Sequence, residues 1–195
     1  VWDLGEAERI RAVCTEYGLG LHMDGARIFN AMAADGNTPA AWGAPFDSVS
    51  ICLSKGLGAP VGSVLVGSYG FISRARRVRK RIGGGMRQAG MLAAAGLFAL
   101  DHHVERLHDD HARAVRIGEA CAALPFVKRV MPVETNIVVV ELKPGNPAKE
   151  LLGKLRDRDI LASEFGPAMV RMVTHLDLDD RAVEQVIAAW CSIAT

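Results

Sequence analysis

Apolar residues recur along the chain in two rhythms, and their alternation lays out the elements. Ile10, Val13, Cys14 and Tyr17 fall at helical spacing behind Asp3 and Glu6, a pair spaced like a capped helix start, and Gly18 ends the run. Leu19, Leu21 and Met23 then alternate with Gly20, His22 and Asp24, which predicts a short strand with a carboxylate at its C-terminal tip. Arg27 to Ala34 reads as a short helix closed by Asp35-Gly36, and a loop from Asn37 to Pro45 leads to a strand over Ser48 to Leu53. This β-α-β order predicts a right-handed crossover that brings Asp24 and Lys55 to one edge of a sheet, the edge at which open α/β sheets bind ligands.

Beyond the turn Gly56 to Pro60, Val61 to Val66 reads as a strand returning antiparallel to the previous one, because the connection is short. Phe71 to Arg81 is a basic helix broken by Gly83-Gly84-Gly85. A long helix rich in small residues is predicted from Arg87 to about Leu107, its Gly90 and Gly96 pointing to close packing. Another periodic helix runs from about Asp109 to Leu124, before Pro125. The remainder alternates again. Strands are predicted near Val127 to Met131, Asn136 to Leu142 and Ala168 to Val173, with a helix capped by Asn146 and opened by Pro147, and a last helix follows Asp177, Asp179 and Asp180 as far as Trp190. The fold class is α/β, with a boundary between residues 108 and 109 and a small α/β domain over 109–195.

The stretch Ser48 to Ser63 stands out within this plan. Val49, Ile51 and Leu53 precede Lys55, and Gly56, Gly58 and Gly62 follow it, so the lysine leaves a core strand into a glycine-rich turn. Two readings meet that pattern. Burial there would favour a neutral amine able to add to a carbonyl, and a lysine that is simply the first exposed residue after a strand would look the same. The glycines miss the dinucleotide-binding spacing by one residue, which argues against a Rossmann nucleotide site.

Composition narrows the partners. The 195 residues are 50% hydrophobic and 23% charged, with a net charge of +1, so no overall field draws the chain to nucleic acid or to a membrane surface. Arg74 to Arg81 holds six basic residues in eight without interleaved aromatics, which reads as a solvated or subunit-facing helix. No apolar run approaches the roughly 18 residues of a membrane span, and no signal peptide opens the chain, so a cytoplasmic location is expected. Cys14, Cys52, Cys121 and Cys191 lack metal-binding or redox spacing and read as packing residues in a reducing compartment. His102, His103, His108 and His111 lack a third ligand at metal-binding spacing and read as surface residues of a helix.

Asp24, Arg27 and Lys55 together supply the parts of an imine site: an amine, a carboxylate able to keep a pyridine nitrogen protonated, and a cation for a ring hydroxyl or an anionic ligand group. An ordinary Asp24–Arg27 surface pair is the alternative. The segments His22-Met23-Asp24-Gly25-Ala26-Arg27, Ser54-Lys55-Gly56-Leu57-Gly58-Ala59-Pro60, Gly83-Gly84-Gly85-Met86-Arg87-Gln88-Ala89-Gly90 and Val173-Thr174-His175-Leu176-Asp177 resemble, in order, the low-specificity L-threonine aldolases. These are pyridoxal phosphate enzymes of the aspartate aminotransferase fold, known as fold type I.

The resemblance implies that residues 1–108 are the later part of the mostly parallel, cofactor-binding large domain. It implies that Lys55 is the Schiff-base lysine, Asp24 the partner of the pyridine nitrogen and Arg27 the neighbour of the ring hydroxyl. Arg87 is implied near the cofactor phosphate, reaching a neighbouring subunit's site in a homo-oligomer, and Arg171 as the ligand of the substrate carboxylate, where a planar guanidinium meets two oxygens at once. The implied reaction is cleavage of threonine or allo-threonine to glycine and acetaldehyde, with pyridoxal phosphate as cofactor and no metal. His22 shares strand parity with Asp24 but reads as a packed or supporting histidine, and no residue is identified as the general base.

Members of that family are substantially longer. The chain is therefore expected to be the later portion of a longer enzyme or a defective copy, unstable or aggregation-prone alone because part of a sheet exposes strand edges. Two alternatives to the aldolase stay open: an inactive truncated copy or assembly partner, and a related pyridoxal phosphate lyase acting by β-elimination.

Overall fold

The computed structural model describes residues 1–193 and divides into two compact units, Val1–Glu105 and Arg106–Thr195. In the first unit the elements run α1 (Leu4–Glu16), β1 (His22–Asp24), α2 (Ile28–Asp35), α3 (Pro39–Gly43), β2 (Ser48–Cys52), β3 (Ser63–Gly67), α4 (Tyr69–Arg81) and α5 (Gly90–His102). In the second they run α6 (Leu107–Ala122), β4 (Val127–Val130), β5 (Ile137–Leu142), α7 (Ala148–Arg156), β6 (Ser163–Glu164), β7 (Met169–Val173) and α8 (Asp180–Ile193).

The first unit holds a three-stranded sheet in the order β1-β2-β3. The β1–β2 pair is parallel, with Asp24 opposite Ser50, and β3 returns antiparallel, with Val64 opposite Ile51. Both pairings follow from connection length: a helical crossover separates the parallel strands, and a turn of about ten residues joins the antiparallel ones. Met23 and Val49, adjacent in register, pack with Ile28 and Trp42 into a small core flanked by Phe29, Phe46 and Ile51. The side chain of Asp3 caps α1 by accepting from the Glu6 amide at 2.9 Å, as the sequence predicts.

Several boundaries differ from expectation. Strand β1 omits Leu19 and Leu21, because the Leu19 amide donates to the carbonyl of Cys14 to finish the end of α1, where Gly18 has φ +63°. The Leu21 amide instead donates to the Asp47 carboxylate at 2.7 Å. The expected loop from Asn37 to Pro45 contains α3, which Thr38 caps by accepting from the Ala41 amide. The expected long helix after the glycine run starts only at Gly90 and stops at His102.

The second unit has the antiparallel order β4-β5-β7-β6. One face of this sheet, carrying Val138, Val140, Leu142, Val170 and Met172, packs with Ile117 and Cys121 of α6, Leu151 and Leu155 of α7, and Val183 and Trp190 of α8. Strand alternation leaves Val139 and Arg171, paired across β5 and β7, on the opposite and only half-buried face. Asn146 does not cap α7. Pro147 stands at the cap position, and the Asn146 side chain turns back to donate to the Lys143 carbonyl at 3.2 Å.

Strand β6 has no clear period in the sequence because it is only two residues long. Asp110 is fully buried in α6, held by Arg106 at 2.7 Å, while its backbone carbonyl accepts from the Thr174 hydroxyl at 2.6 Å. All four cysteines are free, yet only Cys121 is buried; burial, with Cys191 nearby, pushes its thiol up to about 12. Cys14 and Cys52 are half-buried and Cys191 is exposed, so core packing accounts for one cysteine rather than for all. Among the described residues no helix is long and apolar enough to cross a membrane.

Candidate active site

The two strands that run parallel deliver their C-terminal ends to the same edge of the first sheet. From β1 come Asp24, Gly25 and Arg27; from β2 come Ser54 and Lys55. Gly25 is what allows the chain to turn there, since a Cβ on it would lie 2.9 Å from Val49 Cγ1 and 3.0 Å from the Ser50 carbonyl oxygen. The Asp24 carboxylate accepts one hydrogen bond through Oδ1, from the Ala26 amide at 3.1 Å, and is otherwise exposed. Arg27 is half-buried at the start of α2.

A cavity of about 310 Å³ opens beside β1, lined by His22, Asp24 and Arg27 together with Trp2, Trp42 and Phe46. Lys55 does not line it. The lysine stands on the turn that leaves β2, where its carbonyl accepts from the Gly58 amide at 2.9 Å and the Ala59 amide closes back on Leu53 at 3.0 Å. Leu57 and Ala59 take the buried side of that turn, at 2% and 7% exposure, and Lys55 is exposed. Burial of the amine, one of the two readings open to the sequence, is not the arrangement within this chain: apolar neighbours before and after Lys55 occupy the interior and its side chain takes the solvent side.

His22 projects from β1 on the same side as Asp24, and its Nδ1 lies 2.9 Å from the hydroxyl of Ser48, its partner in the parallel register. The serine is 7% exposed and was invisible as a site residue in the sequence, where it reads only as the first residue of a strand. The pairing depends on the β1–β2 register, which no local pattern specifies. Arg87 is exposed in the segment between α4 and α5, beside Gln88 in a left-handed conformation at φ +48°. Arg171 sits mid-strand in β7, half-buried between Val139 of β5 and Ser163 of β6. Its guanidinium has no hydrogen bond or ion pair among the described residues, although its carbonyl accepts from Ser163.

The remaining candidates separate by environment. The six basic side chains of α4 make no ion pair among the described residues, and three of them, Arg79, Lys80 and Arg81, fall in the last turn, where cations complement the helix dipole. Of the four histidines expected on a helix surface, His102 and His108 are exposed, whereas His111 is half-buried, and burial lowers its pKa. His103 also departs from expectation: it is partly buried and its Nδ1 lies 2.6 Å from the Leu57 carbonyl. No group of three or more potential metal ligands occurs among the described residues.

The family model described as beta-eliminating lyase matches residues 1–144. The low specificity L-threonine aldolase of Escherichia coli K12 is 45% identical over 176 residues, covering 90% of this chain and 51% of its own length. Low-specificity L-threonine aldolase 1 of Arabidopsis thaliana is 38% identical over 186 residues, covering 94% of this chain and 52% of its own. In fold, the chain is similar to a threonine aldolase from Leishmania major, with a TM-score of 0.76 at 19% identity, over 100% of this chain and 57% of that one. The chain thus spans about half the length of the curated relatives it matches.

Proposed function

Since the chain belongs to the beta-eliminating lyase family, we propose that it forms part of a pyridoxal phosphate-dependent aldolase. The reaction is cleavage of a β-hydroxy-α-amino acid, L-threonine or L-allo-threonine, to glycine and acetaldehyde. The observation that carries the proposal is the delivery of Asp24 and Lys55 to one sheet edge by the parallel β1–β2 pair.

The residues at that edge fit the cofactor by their chemistry. Lys55 offers an amine with no competing ion pair among the described residues, and Asp24 has a carboxylate oxygen left over after its single bond to the Ala26 amide. When bound, pyridoxal phosphate supplies the electron sink for the pair released as the Cα–Cβ bond breaks. Lys55 would hold the cofactor through its amine. Asp24 would keep a proton on the ring nitrogen, because a carboxylate favours the charged form of a neighbouring base. Arg27 would serve the ring hydroxyl, and Arg87 the phosphate, each as a hydrogen-bond donor. Arg171 takes the substrate carboxylate, a role consistent with a half-buried guanidinium that has no partner of its own among the described residues. Because Ser48 engages His22 Nδ1, the imidazole is held with one nitrogen occupied. This supports a fixing role for His22 and no proton transfer is assigned to it. The same organisation supports reading the first unit as cofactor-binding and the second as a small domain that carries Arg171.

The test is chemical attachment followed by product analysis. Protein incubated with pyridoxal phosphate and reduced with borohydride should carry the label on the Lys55 peptide, and Lys55→Ala should lose both label and about a thousandfold or more of the turnover. Threonine should yield acetaldehyde and glycine in equal amounts. Formation of 2-oxobutanoate as the main product would assign β-elimination instead. A protein that takes up no cofactor and turns over no threonine would match the assembly-partner reading.

A further inference from the structure

We propose that His103 is a positioning residue for Lys55, holding the turn that carries the lysine against the end of α5. The inference rests on the reading of Lys55 as the cofactor-holding amine. Helix α5 presents Gly96, Ala99 and His103 at i, i+3 and i+7, one face of the helix. Each end of that face meets the segment around Lys55. A Cβ on Gly96 would lie 3.0 Å from Leu53 Cδ1, so the helix passes close to the residue that leaves β2. Seven residues on, His103 Nδ1 lies 2.6 Å from the carbonyl oxygen of Leu57. Ala99, between them, is completely buried. Lys55 thus stands between two points that meet the same helix, Leu53 by close packing against Gly96 and Leu57 through the His103 hydrogen bond.

The chemistry of the contact assigns the proton. A carbonyl oxygen only accepts, so Nδ1 carries the hydrogen, and in the neutral ring Nε2 is left as the acceptor. The ring is held in place by Phe98, edge-on at 5.5 Å, and by its position at the end of α5, where the His103 amide still donates to the Ala99 carbonyl. No other side chain among the described residues hydrogen-bonds the backbone of residues 54–60. The turn's own bonds, Gly58 to Lys55 and Ala59 to Leu53, fix its shape. His103 fixes where that shape sits, and with it the height of the lysine above the sheet edge.

Two substitutions separate anchoring from bulk. His103→Phe keeps a ring and removes the donor; His103→Asn keeps a donor nitrogen at the same bond count from the backbone. In the full chain without cofactor, hydrogen exchange at the Gly58 and Ala59 amides should quicken about fivefold in His103→Phe and return toward the original rate in His103→Asn, with the β5 and β7 amides unchanged as the control for folding. With cofactor, kcat for threonine should fall in His103→Phe while KM holds, and His103→Asn should recover it. Unchanged exchange at Gly58 and Ala59 in His103→Phe, with borohydride still placing the cofactor on Lys55, would overturn the positioning role alone. A label on an amine other than Lys55 in the unsubstituted protein would overturn the underlying reading, and this inference with it.

Discussion

Asp47 accepts three hydrogen bonds, from both Arg11 terminal nitrogens at 2.8 and 3.0 Å and from the Leu21 amide at 2.7 Å, and so ties α1 to the approach of β1. The Arg11 contact first, and the Leu21 amide second, hold its carboxyl at about 2, below the usual carboxylate range. A depressed carboxylate stabilises the fold above its unfolded-state value of 3.8, and that contribution is lost as pH falls through the folded value. Asp47→Asn should therefore lower the thermal midpoint at pH 7, and the gap to the unsubstituted protein should close between pH 4 and pH 2. A gap independent of pH would remove the charge argument. Arg171 makes a second prediction at this scale. If Arg171 takes the substrate carboxylate as proposed, Arg171→Gln should reduce kcat/KM for threonine about 10- to 100-fold, chiefly through KM, because a bidentate charge-assisted contact would be lost and the proposed amine chemistry of Lys55 would be left in place. The candidates themselves can be named from the sequence, Asp24 and Lys55 by their motifs and Arg171 by the family resemblance. The partners of Asp47 were not, since Arg11 and Asp47 lie 36 residues apart and no periodicity links them.

At the scale of elements, the parallel β1–β2 pair decides where the candidate site lies, and Gly25 decides how closely its first loop can hug the sheet. Gly25→Ala should cost about 1–3 kcal/mol of unfolding free energy, because the new methyl meets Val49 and the Ser50 backbone and neither can withdraw without disturbing the register. The same displacement should carry Asp24 with it, so under its proposed role at the cofactor, affinity for pyridoxal phosphate should fall together with stability; denaturant titration and cofactor titration on one preparation would show whether they move together. Pattern reading placed both strands and the crossover helix, because apolar alternation and Gly36 are local signals. It merged the tail of α1 into β1 and extended α5 past His102. The actual limits there are set by the Leu19-to-Cys14 hydrogen bond and the α5 end at the Leu57 carbonyl. Each of those is a contact between residues that sequence spacing alone does not pair.

For the whole molecule, the contrast between the two units carries a prediction about association. The second unit buries a continuous core between one sheet face and three helices. Among the described residues the first buries Met23, Ile28, Trp42 and Val49 in its small sheet core, and β3, at one end of the strand order, leaves Val64, Leu65 and Val66 between 38% and 46% exposed. An apolar strand with one side unpaired invites pairing with another chain. The 195-residue chain expressed by itself should self-associate at micromolar concentration, and Val66→Lys on β3 should reduce that association; light scattering of the two at equal concentration would decide it. If the lysine variant scatters equally, the exposed strand is not the adhesive surface.

What the sequence determined by itself was chemistry and rhythm. The order of strands and helices and the glycine-rich turn after a core strand follow from neighbours within a few positions of one another, and the residue types suited to a pyridoxal phosphate site follow from separated motifs and the family they resemble. The tertiary structure alone decided placement. It set Met23 against Val49 and His22 against Ser48, put Lys55 on the exposed side of its turn, and brought His103 to a carbonyl 46 residues earlier. Register and helix docking are fixed by burial and hydrogen bonding summed over contacts distant in the chain, and such sums leave no trace in a local pattern.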